Sequence, residues 1–254
     1  MDKVRKPFQG TWNIIRFNWH FYALAIVLAV LVPLITDNLN ATIRLASLFL
    51  VVLIYLATLV SLGISCYIYD FSDLYKLTWL DKLRFNDGDK MININAGFDE
   101  TSELLRKKFP DSSLSVFDFY NPEKHTEVSI KRARKAYLPF PGTQRTSTNH
   151  LLSASDSADK IFIIFSAHEI RERKERILFL QELKRVMAYH GQIILTEHLR
   201  DTANFLAYNV GFMHFHSKKE WLKTFQNTGL HVVDEIKITP FVTTFILEKN
   251  GFKS

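Results

Sequence analysis

Met91-Ile92-Asn93-Ile94-Asn95-Ala96-Gly97-Phe98-Asp99-Glu100-Thr101-Ser102-Glu103-Leu104-Leu105 reads as a short buried strand, a tight loop and the start of a helix. In α/β proteins a loop leaving the carboxyl end of a strand opens onto the free N–H groups of the next helix, which is how nucleotide pockets are built. A single glycine, Gly97, stands in this loop. The segment therefore takes its meaning from what surrounds it.

Downstream, strands and helices alternate. Met91–Asn95 and Ser113–Phe119 read as strands, the second carrying Asp118 near its end, and Glu100–Phe109 and the basic Thr126–Tyr137 read as helices. Leu138-Pro139-Phe140-Pro141-Gly142 is a loop rich in breakers. Lys160–Phe165 is an apolar run of the kind buried on both faces of a sheet. Ile177, Leu178, Leu180, Leu183 and Val186 place a helical stripe on Arg173–Val186. Gln192–Thr196 reads as another strand, Lys218–Thr228 as a helix ending at Gly229, and His231–Ile238 with Thr243–Glu248 as an antiparallel pair around Pro240. This alternation predicts an α/β fold with a doubly wound, mostly parallel sheet covered by helices.

Upstream the composition changes. Of 254 residues 47% are hydrophobic and 13% aromatic, and the apolar ones crowd into Trp19–Ile35 and Leu45–Tyr69, the second run carrying no charge. Each run is near the roughly 20 residues needed to cross a hydrocarbon core. A secretory signal fits the first run poorly, because it is long, lacks a small-residue cleavage site and is followed directly by a second run. A buried core hairpin is the other alternative, and the uncharged length of the second run weighs against it. The expected organisation is an N-terminal segment (1–18), two transmembrane helices (about 19–36 and 45–69), a juxtamembrane linker (70–89) and an α/β domain (90–254).

Lys3, Arg5, Lys6 and Arg16 precede the first run and Lys76, Lys82 and Arg84 follow the second, against Arg44 alone between them. That asymmetry predicts a multi-pass protein of the bacterial inner membrane with both termini cytoplasmic. Trp12, Trp19, Phe21 and Tyr22, then Tyr67, Tyr69, Tyr75 and Trp79, suit interfacial aromatic belts. The lone Cys66 lies inside the second run, so no disulfide forms within the chain and packing is its default role.

The Lys90–Lys249 pattern resembles the class I S-adenosylmethionine-dependent methyltransferases. Met91–Thr101 is similar to the family's first motif, which carries the methionine and ribose portions of the cofactor. Ser115-Val116-Phe117-Asp118-Phe119 resembles the second, with Asp118 where the family's acid grips the ribose hydroxyls. Leu151–Ile161 resembles the approach to the fourth strand, Phe165-Ser166-Ala167-His168-Glu169-Ile170 the active-site strand end, and Leu183–Leu195 the helix, turn and fifth strand. The terminal hairpin matches the extra antiparallel strand of this Rossmann-like, seven-stranded fold. Tyr69-Asp70, Leu74-Tyr75, Trp79-Leu80 and Asn95–Thr101 are similar to a membrane-anchored bacterial branch of the family. The resemblance implies S-adenosylmethionine as cofactor, bound by Asn95, Ala96, Gly97, Phe98, Asp99, Glu100, Thr101, Asp118, Phe119, Asn149, Ser166 and Ala167.

The loop departs from the family at Asn95, Phe98 and Asp99, where glycine or small residues are preferred because they let backbone approach the cofactor. Asn tolerates positive φ better than most residues, and Asp99 or Glu100 can pair with the cofactor's ammonium. A loop that binds and a loop that keeps only the inherited shape both remain open.

His168-Glu169 and Glu197-His198 each follow an apolar strand and so emerge at the carboxyl edge of the sheet, which makes His168, Glu169 and His198 the catalytic candidates. An imidazole at His168 can act as general base. Methyl transfer also proceeds by positioning alone, which leaves a structural role for either histidine. His168, Glu169, His198, His214 and His216 have the chemistry of metal ligands, but no tight ligand spacing on one helix appears, and no metal is expected. The aromatic-rich Asn204–His216 reads as a lid over a lipophilic substrate or as ordinary core. Lys131-Arg132-Ala133-Arg134-Lys135 reads as a solvated helix face or as a contact for anionic headgroups. Net charge is +6, yet its basic residues are not interleaved with exposed aromatics, which argues against nucleic acid.

The expected function is methyl transfer to an O, N or C centre of a small, apolar acceptor at the cytoplasmic face of the bilayer. A membrane scaffold with a catalytically inactive domain of this fold is the alternative. A nicotinamide-dependent enzyme is disfavoured by the missing glycine triplet and the terminal hairpin.

Overall fold

The computed structural model describes residues 5–249; Lys3 and the last five positions of the 90–254 domain lie outside the described residues. Strands β1 (Lys90–Asn95), β2 (Ser113–Asp118), β3 (Gln144–Arg145), β4 (Ala158–Ile164), β5 (Met187–Glu197), β6 (His231–Thr239) and β7 (Val242–Glu248) form one sheet. Their order is β3-β2-β1-β4-β5-β7-β6. The first five run parallel and β7 is antiparallel to both β5 and β6. This is the expected Rossmann-like doubly wound sheet with its terminal hairpin. β3 is absent from the sequence reading for a physical reason: it is two exposed edge residues paired to Phe117 and Asp118, too short for any periodicity to show.

Alternation along the strands splits the core in two. Ile161 and Ile163 face one side with Ile92, Ile94, Ile193 and Leu195, and there α6 (Arg173–Val186) and α8 (Lys218–Thr228) contribute Phe179, Leu183, Trp221 and Phe225. Phe162 and Ile164 face the other with Met91, Ile194 and Ile246, under Leu105 of α4 (Ser102–Lys108) and under Leu77, Trp79 and Leu80. Each such fully buried side chain is worth about 1.5–3 kcal/mol relative to exposure. Residues 70–89 are thus more than a linker, since they wall the second face of the sheet.

Ahead of the sheet lie α1 (Gln9–Phe17), α2 (Trp19–Thr36) and α3 (Ala41–Cys66), the last continued by a π-turn over Tyr67–Phe71. By length and composition Trp19–Thr36 and Ala41–Phe71, with mean hydropathies of 2.1 and 2.6, can each cross a membrane. α3 begins four residues before the expected boundary because Asn40 caps it, its side-chain oxygen accepting the Ile43 N–H at 3.0 Å. α1 is likewise missing from the sequence reading. Its first turn donates the Gly10 and Thr11 N–H groups to the Asp70 carboxylate, both at 2.8 Å, so an acid in the π-turn caps a helix sixty residues away. Its other end packs on the α/β domain through buried Asn13 and Phe17.

Candidate active site

The loop after β1 needs less glycine than its pattern suggests. Among its described residues Gly97 alone takes positive φ, +100°. A Cβ there would lie 2.8 Å from Arg134 Nη1 and 2.9 Å from Tyr120 Cδ2. Asn95 does not use its tolerance of positive φ; its side-chain oxygen accepts the Gly97 N–H at 3.0 Å and so ties the turn. Asp99 Oδ1 accepts the Thr101 and Ser102 N–H groups, both at 2.9 Å, at the start of α4. Asn95 Nδ2 and Asp99 Oδ2 remain buried without a hydrogen-bond partner. Glu100 is fully committed, to Arg5 and the Tyr75 hydroxyl at 2.7 Å each and to Asn13 at 3.3 Å. Of the two acids expected to face a ligand ammonium, Asp99 keeps a free oxygen and Glu100 does not. Gly97→Ala is expected to cost about 1–3 kcal/mol through backbone strain, read as a fall in the thermal unfolding midpoint of the detergent-solubilised chain.

Register puts Asp118 directly beside Asn95. Its Oδ1 accepts the Tyr120 N–H at 2.8 Å. Its Oδ2 meets Arg134 Nη1 at 2.6 Å, and the guanidinium lies 4.3 Å over the Tyr120 ring. Arg134 comes from α5 (Val128–Ala136), whose basic run therefore splits: Arg134 turns inward, and Arg132 donates to the Phe17 carbonyl at 2.6 Å. Two small cavities flank the loop, about 40 Å³ beside Asp118 and about 70 Å³ beside Ala96 and Thr101, with Phe98 between them. Phe119 is buried against Phe179 and, with Asn149, Asn121 and Glu175, lines a separate wide cavity of about 750 Å³. Ser166 donates to the Ile94 carbonyl at 2.8 Å, clamping β4 to β1, and Ala167 is buried beside it.

β4 stops one residue short of expectation because Phe165 adopts a left-handed backbone, φ +52°, with its ring stacked on His198 at 4.6 Å. The turn that follows, Ala167–Glu169, carries His168 and Glu169. His168 Nδ1 lies 2.6 Å from Oε2 of Glu197, a carboxylate with no exposure, whose Oε1 accepts the His168 N–H at 3.1 Å. Glu169 Oε1 is 3.4 Å from His168 Nε2 and 3.5 Å from His214 Nε2, and His214 Nδ1 is 2.6 Å from Glu127. The Arg171 guanidinium rests against the His214 ring and its carbonyl from the exposed side.

Burial alone would lower the His168 pKa, but the Glu197 charge and the hydrogen bonds to Glu169 and Glu197 raise it to about 10. Burial would likewise raise Glu169, yet its bonds to His168 and His214 hold it well below the usual carboxylate range. His168 therefore carries a proton at neutral pH, which does not suit the free general base expected of it. His198 is the opposite case. Burial pushes it down to about 3, the Phe241 carbonyl accepts its Nδ1–H at 2.9 Å, and Nε2 faces the Tyr69 hydroxyl at 2.8 Å. His216 is also lowered to about 3 by burial and by Arg176. The sequence reading missed Glu127, Arg134 and the role of Glu197; only Glu197 carried a signal, as an acid ending an apolar strand.

His168, Glu169 and His214 open into a cavity of about 250 Å³ roofed by Asn13, Ile14 and Phe17 of α1. A second cavity, about 440 Å³, lies between α2, α3 and the segment formed by α7 (Thr202–Tyr208) and the Asn209–His214 turn, and it shares Ile14 and Asn18 with the first. Leu206, Val210 and Met213 of that segment are exposed, so it is not ordinary core.

No family model and no curated protein matches the sequence. Solved structures do. A SAM-dependent methyltransferase from Aquifex aeolicus superposes with a TM-score of 0.51 at 16% identity, covering 75% of this chain and 97% of that one. A protein from Pyrococcus horikoshii OT3 gives 0.51 at 14% identity, with 70% and 92% covered. An O-methyltransferase family 2 protein from Planctomyces limnophilus, in complex with apigenin, gives 0.50 at 13% identity, with 76% and 61% covered. At such identities the likeness is one of fold: this chain has the Rossmann-like class I methyltransferase fold.

Proposed function

We propose that this chain is a membrane-held, S-adenosylmethionine-dependent methyltransferase that acts on a small, apolar acceptor at the cytoplasmic face of a bacterial inner membrane. The observation that carries the reading is the juxtaposition, at the carboxyl ends of β1, β2 and β4, of the Gly97 turn, Asp118 and the His168–Glu169 pair. The loop residues fit the cofactor: a buried amide donor on Asn95 and a buried carboxylate oxygen on Asp99 lack partners, as an amino-acid moiety requires. Asp118 sits where a ribose diol would be gripped once Arg134 swings outward. The cofactor supplies an electrophilic methyl group on a sulfonium. The remaining work is positioning, in which protonated His168 and the Glu169 carboxylate orient a polar acceptor group inside a cavity that α1 roofs on one side.

An apolar acceptor is supported by the 440 Å³ cavity, whose lining includes Phe21, Tyr22 and Val210 and which meets the site cavity at Ile14. Leu34, Leu45, Phe49 and Leu59 point outward from α2 and α3, as expected of helices in hydrocarbon. The basic flanks Arg5, Lys6, Lys76 and Lys82 favour cytoplasmic termini.

Titration calorimetry of the full chain in detergent with S-adenosylmethionine and S-adenosylhomocysteine tests the reading. Saturable heat with micromolar affinity is expected, followed by transfer of labelled methyl into the organic phase of a lipid extract; no heat at millimolar ligand sinks it. The inactive scaffold is the second reading, favoured by the Asp118–Arg134 ion pair and the narrowness of the cavities beside it. Binding without turnover on any lipid extract would select it.

A further inference from the structure

We infer that His168, Glu169 and His214 form a binding site for one divalent first-row transition-metal ion. The candidate ligand atoms of the three lie within 4.8 Å of one another. The two distances to Glu169, 3.4 and 3.5 Å, match the separation of about 3.4 Å between neighbouring ligands in a tetrahedral site with bonds of about 2.1 Å.

What raises this trio above a chance cluster is the orientation of its rings. Each imidazole has Nδ1 on a carboxylate at 2.6 Å, Glu197 for His168 and Glu127 for His214, and each turns Nε2 toward Glu169. A carboxylate behind a ring nitrogen fixes the tautomer and raises the basicity of the other nitrogen, which is how proteins prepare histidines for metal. The cluster gathers three carboxylates around two imidazoles and the Arg171 guanidinium, and a bound divalent ion takes the place of the His168 Nε2 proton, which is released to solvent. Arg171 Nη2 lies against both ring nitrogens of His214, including the Nε2 that would coordinate, and this 44% exposed side chain withdraws into solvent when the ion binds. Two imidazoles and one carboxylate leave coordination positions open on the cavity side, the pattern of catalytic rather than structural sites. An acceptor hydroxyl oxygen is the group such a position takes. The metal site stands on its own geometry, whereas its use on an acceptor rests on the function proposed above.

The test uses the full chain in detergent, stripped with chelator and titrated with Zn²⁺ by calorimetry, and with Co²⁺ by visible absorption, in the absence of S-adenosylmethionine. One equivalent per chain is expected, with d–d bands indicating four or five ligands. Glu169→Ala or His214→Ala should weaken Zn²⁺ binding roughly 100-fold or more, and Glu127→Gln, which only releases the outer face of His214, roughly 10-fold. His190→Ala, at an exposed histidine elsewhere, should change nothing. Helical circular dichroism and elution volume verify that each variant is folded. If Glu169→Ala misfolds, the partly exposed Glu127→Gln and His214→Ala still decide. Substoichiometric uptake, or uptake that survives His214→Ala and Glu127→Gln, overturns the site. Zinc binding by a chain that ignores S-adenosylmethionine keeps the metal site and removes the methyltransferase reading, and the reverse result does the opposite.

Discussion

Glu197→Ala is expected to destabilise the folded chain by about 3–5 kcal/mol, because breaking a buried ion pair strands the remaining charge. In a domain of this size that is a fall of roughly 6–20 °C in melting temperature. Glu197 has no exposure, and both of its oxygens serve His168. Removing it leaves a buried imidazolium with Glu169, 3.4 Å away, as its closest acid. Glu197→Gln keeps the volume and one acceptor, so it should lose distinctly less; equal losses in the two variants would show that packing, not charge, is what Glu197 supplies.

The pH dependence has a determined sign. His168 is raised from 6.5 to about 10 in the folded chain, so the stability it contributes is complete below about pH 6.5 and is lost as pH rises toward 10. Glu169 is depressed from 4.5, so its contribution is complete above that value and is lost as pH falls further. His198 and His216, lowered to about 3, take up protons on unfolding, so stability also falls as pH drops below about 6.5, and melting temperature should be highest near pH 6.5 and decline on both sides. In Glu197→Ala the alkaline decline should flatten. An alkaline limb that is identical in the variant would detach it from this pair.

Asp118→Ala is expected to weaken S-adenosylmethionine binding roughly 100-fold or more, since hydrogen bonds from a ribose diol to a carboxylate are worth about 1.5–3 kcal/mol each. The variant should still fold, because the partner it abandons, Arg134, is 28% exposed and reaches water. Arg134→Ala should act in the opposite direction. Arg134 holds the same Oδ2 at 2.6 Å, and a binding-competent state populated only in part weakens apparent affinity by that fraction. Calorimetry on both variants decides: if Asp118→Ala binds like the unaltered chain, Asp118 is not the ribose ligand.

The sheet was legible because its strands are apolar and flanked by breakers, and the Lys160–Phe165 run, read as buried on both faces, forms the part of β4 that pairs with β1 and β5. Strand ends placed Asp118, His168 and Glu169 on one edge of the sheet, since parallel strands bring their carboxyl termini to the same side. What the sequence withheld depends on distance along the chain. Glu127 meets His214 across about half the length of the domain, and Asn13 reaches Glu100 from a helix that reads as a tail. The loop's glycine poverty misled for a local reason: a pattern of residue types counts glycines, whereas the backbone requires left-handed φ at Gly97 only. His168, Glu169 and His214 stood among five possible metal ligands in the sequence, but nothing there joined these three, because two are adjacent and the third stands 45 residues on from Glu169, a spacing without helical or zinc-finger regularity.

The π-turn over Tyr67–Phe71 joins α3 to the α/β domain without a break, places the Tyr69 hydroxyl on His198 and lends Asp70 to α1. In the proposed bilayer setting this makes α3 a fixed strut. The mouth of the site then sits at one height above the hydrocarbon and cannot sweep the surface as a tethered domain would. Selection among amphiphiles would act first on how far a reactive group stands from the membrane plane, and only afterwards on its shape. Lengthening the strut by a single residue should turn the mouth by about 100° and lift it about 1.5 Å, altering which amphiphiles are reached and moving Thr58, Ser61 and Ser65 out of the wall of the 440 Å³ cavity.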